Sequence, residues 1–317
     1  MRFNKELIYK IIDNKIDKID LYYLNKQELN TLYHALNLNT SLKQIYISFN
    51  TIKDITLLCK SLKNNSCLKE LKLIFNQIKD ITPLKFISNS YLKYLDLAGN
   101  QIEDLTPLKY LLNSCLESLN LSRNQIKNIT ALKFLSNSCL KILDLSNNQI
   151  EDITPLNFLE NNTCLKKLDL YNNQIKNISP LKYLSTSCLK ELNLYINQIE
   201  DITPLKFLEN NTCLKKLNLG NNQIKEITIL KFLENNTCLK ELNLGNNQIK
   251  DISPLKYLSK SCLKILDLSN NKIEDITPLK FLKNNSSLID LNLSDNEIDD
   301  ITDIVPLKFL KNIIDLE

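Results

Sequence analysis

The sequence predicts an α/β solenoid, with a parallel β-sheet on its concave face and short helices on its convex face. Three observations carry that reading. One phrase, L-x-x-L-x-L-x-x-N-x-I, recurs eleven times between Leu42 and Leu288 at intervals of 24 to 26 residues. Leucine alternates with polar residues in the middle of each phrase, which is the period of a strand with one buried face. A Thr/Ser-Pro step then follows in most copies, as at a helix start.

The strand comes first in each repeat. Leu242 and Leu244 alternate with Glu241, Asn243 and Gly245, and Asn247 turns the chain. Asparagine holds this position in every copy (Asn50, Asn76, Asn100, Asn124, Asn148, Asn173, Asn197, Asn222, Asn247, Asn271 and Asn296). A stacked amide ladder, bonding backbone groups of neighbouring turns, is the structural role that predicts. The helix comes second. Thr82, Thr106, Thr154, Ser179, Thr203, Ser253 and Thr277 precede proline and read as N-cap hydroxyls, with an acid such as Asp251 two residues earlier, near the positive end of the helix dipole. Leu255, Tyr257 and Leu258 are expected to turn inward, and Asn-Asn-Thr or Ser-x-Ser linkers to return the chain to the next strand. No single repeat buries its own leucines, so the repeats must stack as one continuous domain, with a sheet about 50 Å long.

Three segments follow from the phrase boundaries. Residues 1–41 form an N-terminal cap helix and a degenerate first repeat opening at Ile16, residues 42–312 the eleven repeats, and residues 313–317 a truncated strand. Phe3, Leu7, Ile8, Ile11 and Ile12 share one helical face and suit a lid over the core. Asn25 and Glu28 make a capping-box pair before a second helix carrying Leu29, Leu32, Tyr33 and Leu36. His34 lies in that helix and reads as a bystander. Asp303, Ile304 and Val305 look inserted before Pro306. The C-terminal strand leaves an open edge, a route to a weak homodimer, although Asp315 and Glu317 blunt it.

Composition narrows the class. The chain has 317 residues, 43% hydrophobic and 24% charged, with a net charge of +4, too near balance to point to a nucleic-acid binder. One histidine leaves little room for a histidine metal site or histidine catalysis. Met1 to Asn14 shows no apolar signal-peptide core, and no stretch is long and apolar enough for a membrane span. The nine cysteines lack any C-x-x-C spacing and favour a reducing compartment, so the expected location is cytoplasmic, of the host cell if the chain is viral. Sequons at Asn64, Asn161 and Asn210 are expected to be unmodified.

Stacking turns sequence positions into columns. Eight cysteines from Cys67 to Cys262 precede the first leucine of their repeats and read as small residues at a tight turn rather than a soft-metal or redox ladder. Asp144 and Asp169, between the paired leucines of adjacent repeats, are the nearest approach to paired carboxylates. Without a phosphate cradle or pocket-forming insertion, no catalytic residue is assigned. Lysines from Lys43 to Lys264 form a further column, offset by Glu70, Glu191 and Glu241, that reads as a solvated rim. The informative departures are apolar residues where the consensus is Ser, Gly or Asn. Tyr171, Tyr195 and Ile196 form one group on the concave side, and Tyr46, Phe49, Ile74, Phe75 and Tyr94 another near the N-terminus. Exposed aromatics on adjacent strands suit a protein interface, while the N-terminal group fits contact with the cap helix equally well.

The eleven copies of LxxLxLxxN resemble the leucine-rich repeat family over residues 16 to 316. The I-x-D-I-[TS]-P-L segment is similar to the internalin and phosphatase-regulator classes. The NNTCLK linkers resemble the ribonuclease-inhibitor-like class and the repeat proteins of amoebae and their giant viruses. The resemblance implies a right-handed arc or horseshoe whose activity is binding. The resulting expectation is a non-enzymatic module with an unidentified protein partner, no cofactor, no small-molecule substrate and no membrane. The alternatives are a structural or decoy scaffold without one tight ligand, and a phosphatase or signalling regulator. Cys139 to Thr163 and Cys262 to Ser286 agree at 21 of 25 positions, a sign of copied repeats that add length before specificity.

Overall fold

Leucines at alternate positions commit each repeat to a strand, and the computed structural model of the protein describes those strands within residues 3–88, 91–112, 114–285, 287–298 and 314–315. The chain divides into two compact units, Met1–Ile150 and Glu151–Glu317. The first contains strands β1 (Lys18–Tyr22), β2 (Gln44–Ser48), β3 (Glu70–Lys72), β4 (Tyr94–Asp96), β5 (Ser118–Asn120) and β6 (Ile142–Asp144), with helices α1 (Lys5–Ile12), α2 (Lys26–Leu38) and α3 (Thr56–Ser61). Its strands are parallel and in chain order, so Leu71, Leu95, Leu119 and Leu143 stand opposite one another. The second contains β7 (Lys167–Asp169), β8 (Glu191–Asn193), β9 (Lys216–Asn218), β10 (Glu241–Asn243), β11 (Ile265–Asp267), β12 (Asp290–Asn292) and β13 (Ile314–Asp315). These are again parallel, with Leu168, Leu192, Leu217, Leu242, Leu266 and Leu291 in register. In both units these leucines are buried, while the residues on either side of each lie at the open face.

The asparagine after each strand closes the corner. Asn222 Nδ2 donates to the carbonyls of Leu194, Leu219 and Gly220, each at 3.0 Å, and its Oδ1 accepts the Ile199 N–H at 3.0 Å. Asn100, Asn124, Asn197, Asn247, Asn271 and Asn296 repeat this pattern, each tying its own turn to the preceding one. The residue just before it is left-handed in every repeat, with φ between 48° and 67°, whatever its side chain.

The helical segments between corner asparagine and linker differ from expectation in two ways. Apart from α3 they are 3₁₀ helices, as at Thr106–Leu111 and Ser253–Leu258, closed by bonds such as Leu255 N–H to the Ile252 carbonyl at 3.0 Å. A 3₁₀ helix rises about 2.0 Å per residue against 1.5 Å for an α-helix, so fewer residues cross the same distance. The hydroxyl also is not the cap. Ser253 is the first helical residue, and the carboxylate of Asp251 accepts its N–H at 2.7 Å while taking the Ser253 hydroxyl on the other oxygen at 2.9 Å. The N–H two residues ahead falls within reach of the short acid side chain, which makes the acid an Asx-turn acceptor. Asn128 and Asn177 do the same for Thr130 and Ser179, at 2.8 and 2.9 Å. Leu255 and Leu258 are buried, but Tyr257 is only half-buried.

At the N-terminus Asn4 caps α1 through the Leu7 N–H at 2.8 Å, and Leu7 and Ile11 are buried where α1 packs on α2. Asn25 and Glu28 form a reciprocal capping box on α2, with His34 exposed. Residues 303–306 and the side chains of Asp315 and Glu317, on which the insertion and the edge dimer rest, lie outside the described residues; β13 itself pairs with β12.

Two expectations follow. Asn222→Ala, which strands several buried backbone groups, should cost about 3 kcal/mol, whereas Asn218→Ala, which removes one acceptor for the Gly220 N–H, should cost less than about 1 kcal/mol; urea unfolding by circular dichroism compares them. The Thr277 hydroxyl and N–H hold the Asp275 carboxyl below its ordinary value. A depressed folded value stabilises above the ordinary carboxylate range and is lost as pH falls through the folded one. Asp275→Asn, which keeps the bond as Asn128 does, should therefore lose less stability than the parent on acidification, measured by melting at stepped pH.

Candidate functional site

The open face is built from the residues between paired leucines, and most of these already have a task. Asp96, Asn120, Asp144, Asp169, Asn193, Asn243 and Asp267 each accept, on Oδ1, the N–H two residues on, at 2.9 to 3.2 Å. Asp144 belongs to the first unit and Asp169 to the second, and each serves its own strand-exit turn. Burial pushes the Asp96 carboxyl up.

In the second unit the open face holds a groove of about 560 Å³. Lys167 lies 3.6 Å from Glu191 and Lys216 2.8 Å from Glu241. Five carboxylates (Asp169, Glu191, Glu241, Asp267 and Asp290) line it against two lysines, Lys167 and Lys216. Beside it the Tyr171 and Tyr195 rings stack, with centroids 5.8 Å apart and planes 14° apart. The Tyr195 ring covers Gly220, where a Cβ would sit 2.8 Å from ring carbons. Tyr171, Tyr195 and Ile196 are all half-buried, and Ile196 holds a φ of 53°.

The N-terminal group separates into two. Tyr46 lies on the open face between Lys18 and Lys72, whose ammonium groups stand 4.4 and 4.5 Å from its ring centroid. Burial and a hydrogen bond to Glu70 push its hydroxyl well above the ordinary phenol value. Tyr94 is exposed at the start of β4, and Ile74 is half-buried, its carbonyl accepting the Phe49 N–H at 2.8 Å. Phe49 and Phe75 instead stack at the strand-exit turns, centroids 4.9 Å apart, each 42% exposed. Phe75 covers Gly99, whose φ is 67° and where a Cβ would collide with the ring. The ring partners of Phe49 on the other side are Tyr22, which ends β1, and Tyr23, which follows it, both at 6.1 Å. These tyrosines were missed from sequence, although Tyr23 precedes Phe49 by the same 26 residues that separate Ile16 from Leu42.

Two other columns differ from simple expectation. Glu117 interrupts the lysine column between Lys93 and Lys141, and its carboxylate lies 2.7 Å from both. Those two hydrogen-bonded lysines hold it down to about 2. The reading of the cysteines as simple packing residues is corrected at one pair: Cys188 and Cys213 are joined by a disulfide, with Cα atoms 5.8 Å apart. Adjacent repeats in register bring the column within the span of a disulfide. Sequence reasoning also missed a second asparagine column in the linkers. Asn236 Oδ1 accepts the N–H groups of Cys238 and Leu239 at 2.9 and 2.8 Å, and its Nδ2 reaches the Leu214 carbonyl at 3.2 Å. In the Ser-x-Ser linkers a buried hydroxyl takes over, as Ser261 does on the Leu258 carbonyl at 2.7 Å. Among the described residues no cluster of three His, Cys, Asp or Glu is arranged to hold a metal ion. No helix among them is long and apolar enough to cross a membrane.

Comparison with known proteins agrees with this architecture. The family profile described as leucine-rich repeats in two copies matches overlapping segments from residue 68 to 257, and a single-repeat profile matches 259–276 and 284–301. No curated protein matches the chain. Among solved structures, the internalin InlF of Listeria monocytogenes is 30% identical, with a TM-score of 0.72 over 98% of this chain and 89% of that one. Internalin C2 of the same organism is 37% identical, with a TM-score of 0.53 over 66% of this chain and 84% of that one. A leucine-rich repeat protein of Leptospira interrogans, 22% identical, shares the fold with a TM-score of 0.73 over 99% of this chain and 86% of that one. With profile matches over most of its length and an internalin-like fold throughout, the chain belongs to the leucine-rich repeat family.

Proposed function

We propose that the protein is a non-enzymatic interaction module that binds a protein partner on the open face of its sheet and the adjoining strand-exit turns. One observation carries this reading. The residue before each corner asparagine is left-handed, and in seven repeats it is Asn, Asp or Gly, whereas Phe49, Phe75, Arg123 and Ile196 occupy it in the other four. Bulky and β-branched side chains are disfavoured there by about 1 kcal/mol or more, and Phe49 and Phe75 remain 42% exposed. They strain the turn without filling the core, and exposed aromatic anchors are what protein interfaces use. Tyr171, Tyr195, Tyr46, Ile74 and Tyr94 extend the candidate surface. The excess of carboxylates in the second-unit groove suits a partner with basic side chains beside its apolar contacts.

The copied repeats favour a second reading, a scaffold without one tight ligand. The exposed or half-exposed thiols of Cys67, Cys115, Cys238 and Cys262 fit a cytoplasmic location; the Cys188–Cys213 bridge is the observation against it.

Affinity capture from extract of the source cells, read by mass spectrometry, separates the two readings. It compares the parent with Phe49→Asn/Phe75→Asn and with Tyr171→Ser/Tyr195→Ser/Ile196→Asn, which restore the repeat consensus. Phe49→Asn/Phe75→Asn should melt no lower than the parent, because both substitutions relieve left-handed strain. The triple variant relieves it at Ile196 alone and gives up the Tyr171–Tyr195 stack, so its folding is checked by circular dichroism. Both should lose a partner that the parent retains. Equal retention by all three proteins defeats the anchor reading, and no retention by the parent leaves the scaffold.

A further inference from the structure

Five cysteines of the second unit, from Cys164 to Cys262, share one position in consecutive repeats, and the last four run on from the Cys188–Cys213 bridge. Cys188, Cys213, Cys238 and Cys262 each lie three residues before the first residue of a strand, and those residues, Glu191, Lys216, Glu241 and Ile265, are paired in register. Two residues after the cysteine the same backbone bond joins each pair of neighbours. Lys215 N–H donates to the Lys190 carbonyl at 2.8 Å, Lys240 to Lys215 at 2.8 Å, and Lys264 to Lys240 at 2.7 Å. Cys213 and Cys238 are further fixed by identical turns, their N–H groups donating to Asn211 and Asn236 at 2.8 and 2.9 Å. Asn236 Nδ2 then links the two turns through the Asn211 carbonyl at 3.1 Å.

The strand register and backbone bond that accompany the 5.8 Å Cα separation of Cys188 and Cys213 are therefore shared by the next two pairs. Disulfides span Cα separations of about 4.4 to 6.8 Å. Cys188 and Cys262 are exposed and Cys213 and Cys238 partly so, within reach of a reagent from solution. Lys190, Lys215, Lys240 and Lys264 give the column a positive border that attracts a small anionic reagent.

We propose that these four residues form a thiol–disulfide exchange ladder that takes an anionic low-molecular-weight disulfide of the glutathione class as its oxidant. In the exchange step, the Cys238 thiol gives its proton to solvent and its sulfur attacks the Sγ of Cys213. The Cys213–Cys238 bond forms as the Cys188–Cys213 bond breaks, and Cys188 leaves as a thiolate, with no net gain or loss of electrons. In the oxidative step, the Cys238 thiolate attacks the small disulfide, forms a mixed disulfide and releases one small thiolate. The Cys262 thiolate then attacks the Sγ of Cys238 and releases the second. The protein gives up two electrons and the oxidant takes both, leaving the ladder bridged at Cys188–Cys213 and Cys238–Cys262. Each bridge adds a covalent link between nearest neighbours in a fold where repeats otherwise touch only their neighbours. Cys59 stands outside the ladder: it is fully buried, and burial pushes its thiol up to about 12.

The test is disulfide mapping of the full chain after equilibration in reduced and oxidised glutathione at varied ratio, with acid quench, differential alkylation and non-reducing peptide mass spectrometry. Protein with one bridge among these four residues should yield both Cys188–Cys213 and Cys213–Cys238 peptides. Excess oxidised glutathione should add Cys238–Cys262. Cys188→Ser, checked for folding by its melting curve, should carry its bridge at Cys213–Cys238, and Cys59 should be alkylated only after unfolding. Recovery of Cys188–Cys213 alone at every ratio, with Cys238 and Cys262 always alkylated and Cys188→Ser unbridged, overturns the ladder.

Discussion

The bond set of the corner asparagine is the constraint on which the rest of the structure depends. A strand of three residues leaves its exit carbonyls and the following N–H groups without enough sheet partners, and burying them unpaired is costly. One amide answers several of these demands. Asn247 Nδ2 serves the carbonyls of Leu219, Leu244 and Gly245, and its Oδ1 takes the Ile224 N–H. Two of those four bonds reach the preceding repeat. The side chain therefore shapes its own turn and fixes the stacking at the same time, which lets copies of one phrase extend the core.

The other corners are solved in the same way, by short side chains that stand in for backbone partners. The strand-exit residue accepts the N–H two positions on, the Asp or Asn ahead of most 3₁₀ segments accepts a Thr or Ser N–H, and the linker Asn or Ser reaches a carbonyl of its own or the preceding repeat. These polar columns explain why a chain so rich in asparagine needs only three glycines. The tight geometry comes from Asx turns and from left-handed Asn rather than from the absence of a side chain.

Much of this was legible in the sequence because it is periodic. Strand, corner and stacking follow from the spacing of Leu42 through Leu288 and the asparagine that accompanies each copy. The capping chemistry was not, because Thr-Pro invites a hydroxyl cap, and only the turn geometry shows the Asp251 carboxylate facing the Ser253 N–H. The linker asparagines were hidden by a substitution: Asn in some repeats and Ser in others bond different carbonyls at one corner, and no single residue type marks the position. Contacts between columns, such as Phe49 with Tyr23 or Cys188 with Cys213, need the register of adjacent repeats, which repeat spacing alone leaves one residue uncertain where intervals vary.

Periodicity also locates where the molecule can differ from its own copies. The corner asparagine fixes the backbone of the residue before it, so that position keeps φ near +50° with Phe, Ile, Arg or Asn alike. Its side chain lies outside the buried core, and where it meets the next repeat, as Asn270 meets Asn246 or Phe49 meets Phe75, it does so at the surface. A mutation there costs local strain but leaves the neighbouring repeats in place, unlike a change at the buried leucines or the ladder. Such positions are where a copied scaffold acquires individual surface at least expense to its fold. Phe49 and Phe75 stacked at the turns of the first unit, and Ile196 beside the Tyr171–Tyr195 stack of the second, are variations of that kind. Their chemistry sets them apart from the other copies: where most repeats carry an amide or glycine, they carry apolar surface that the core does not use.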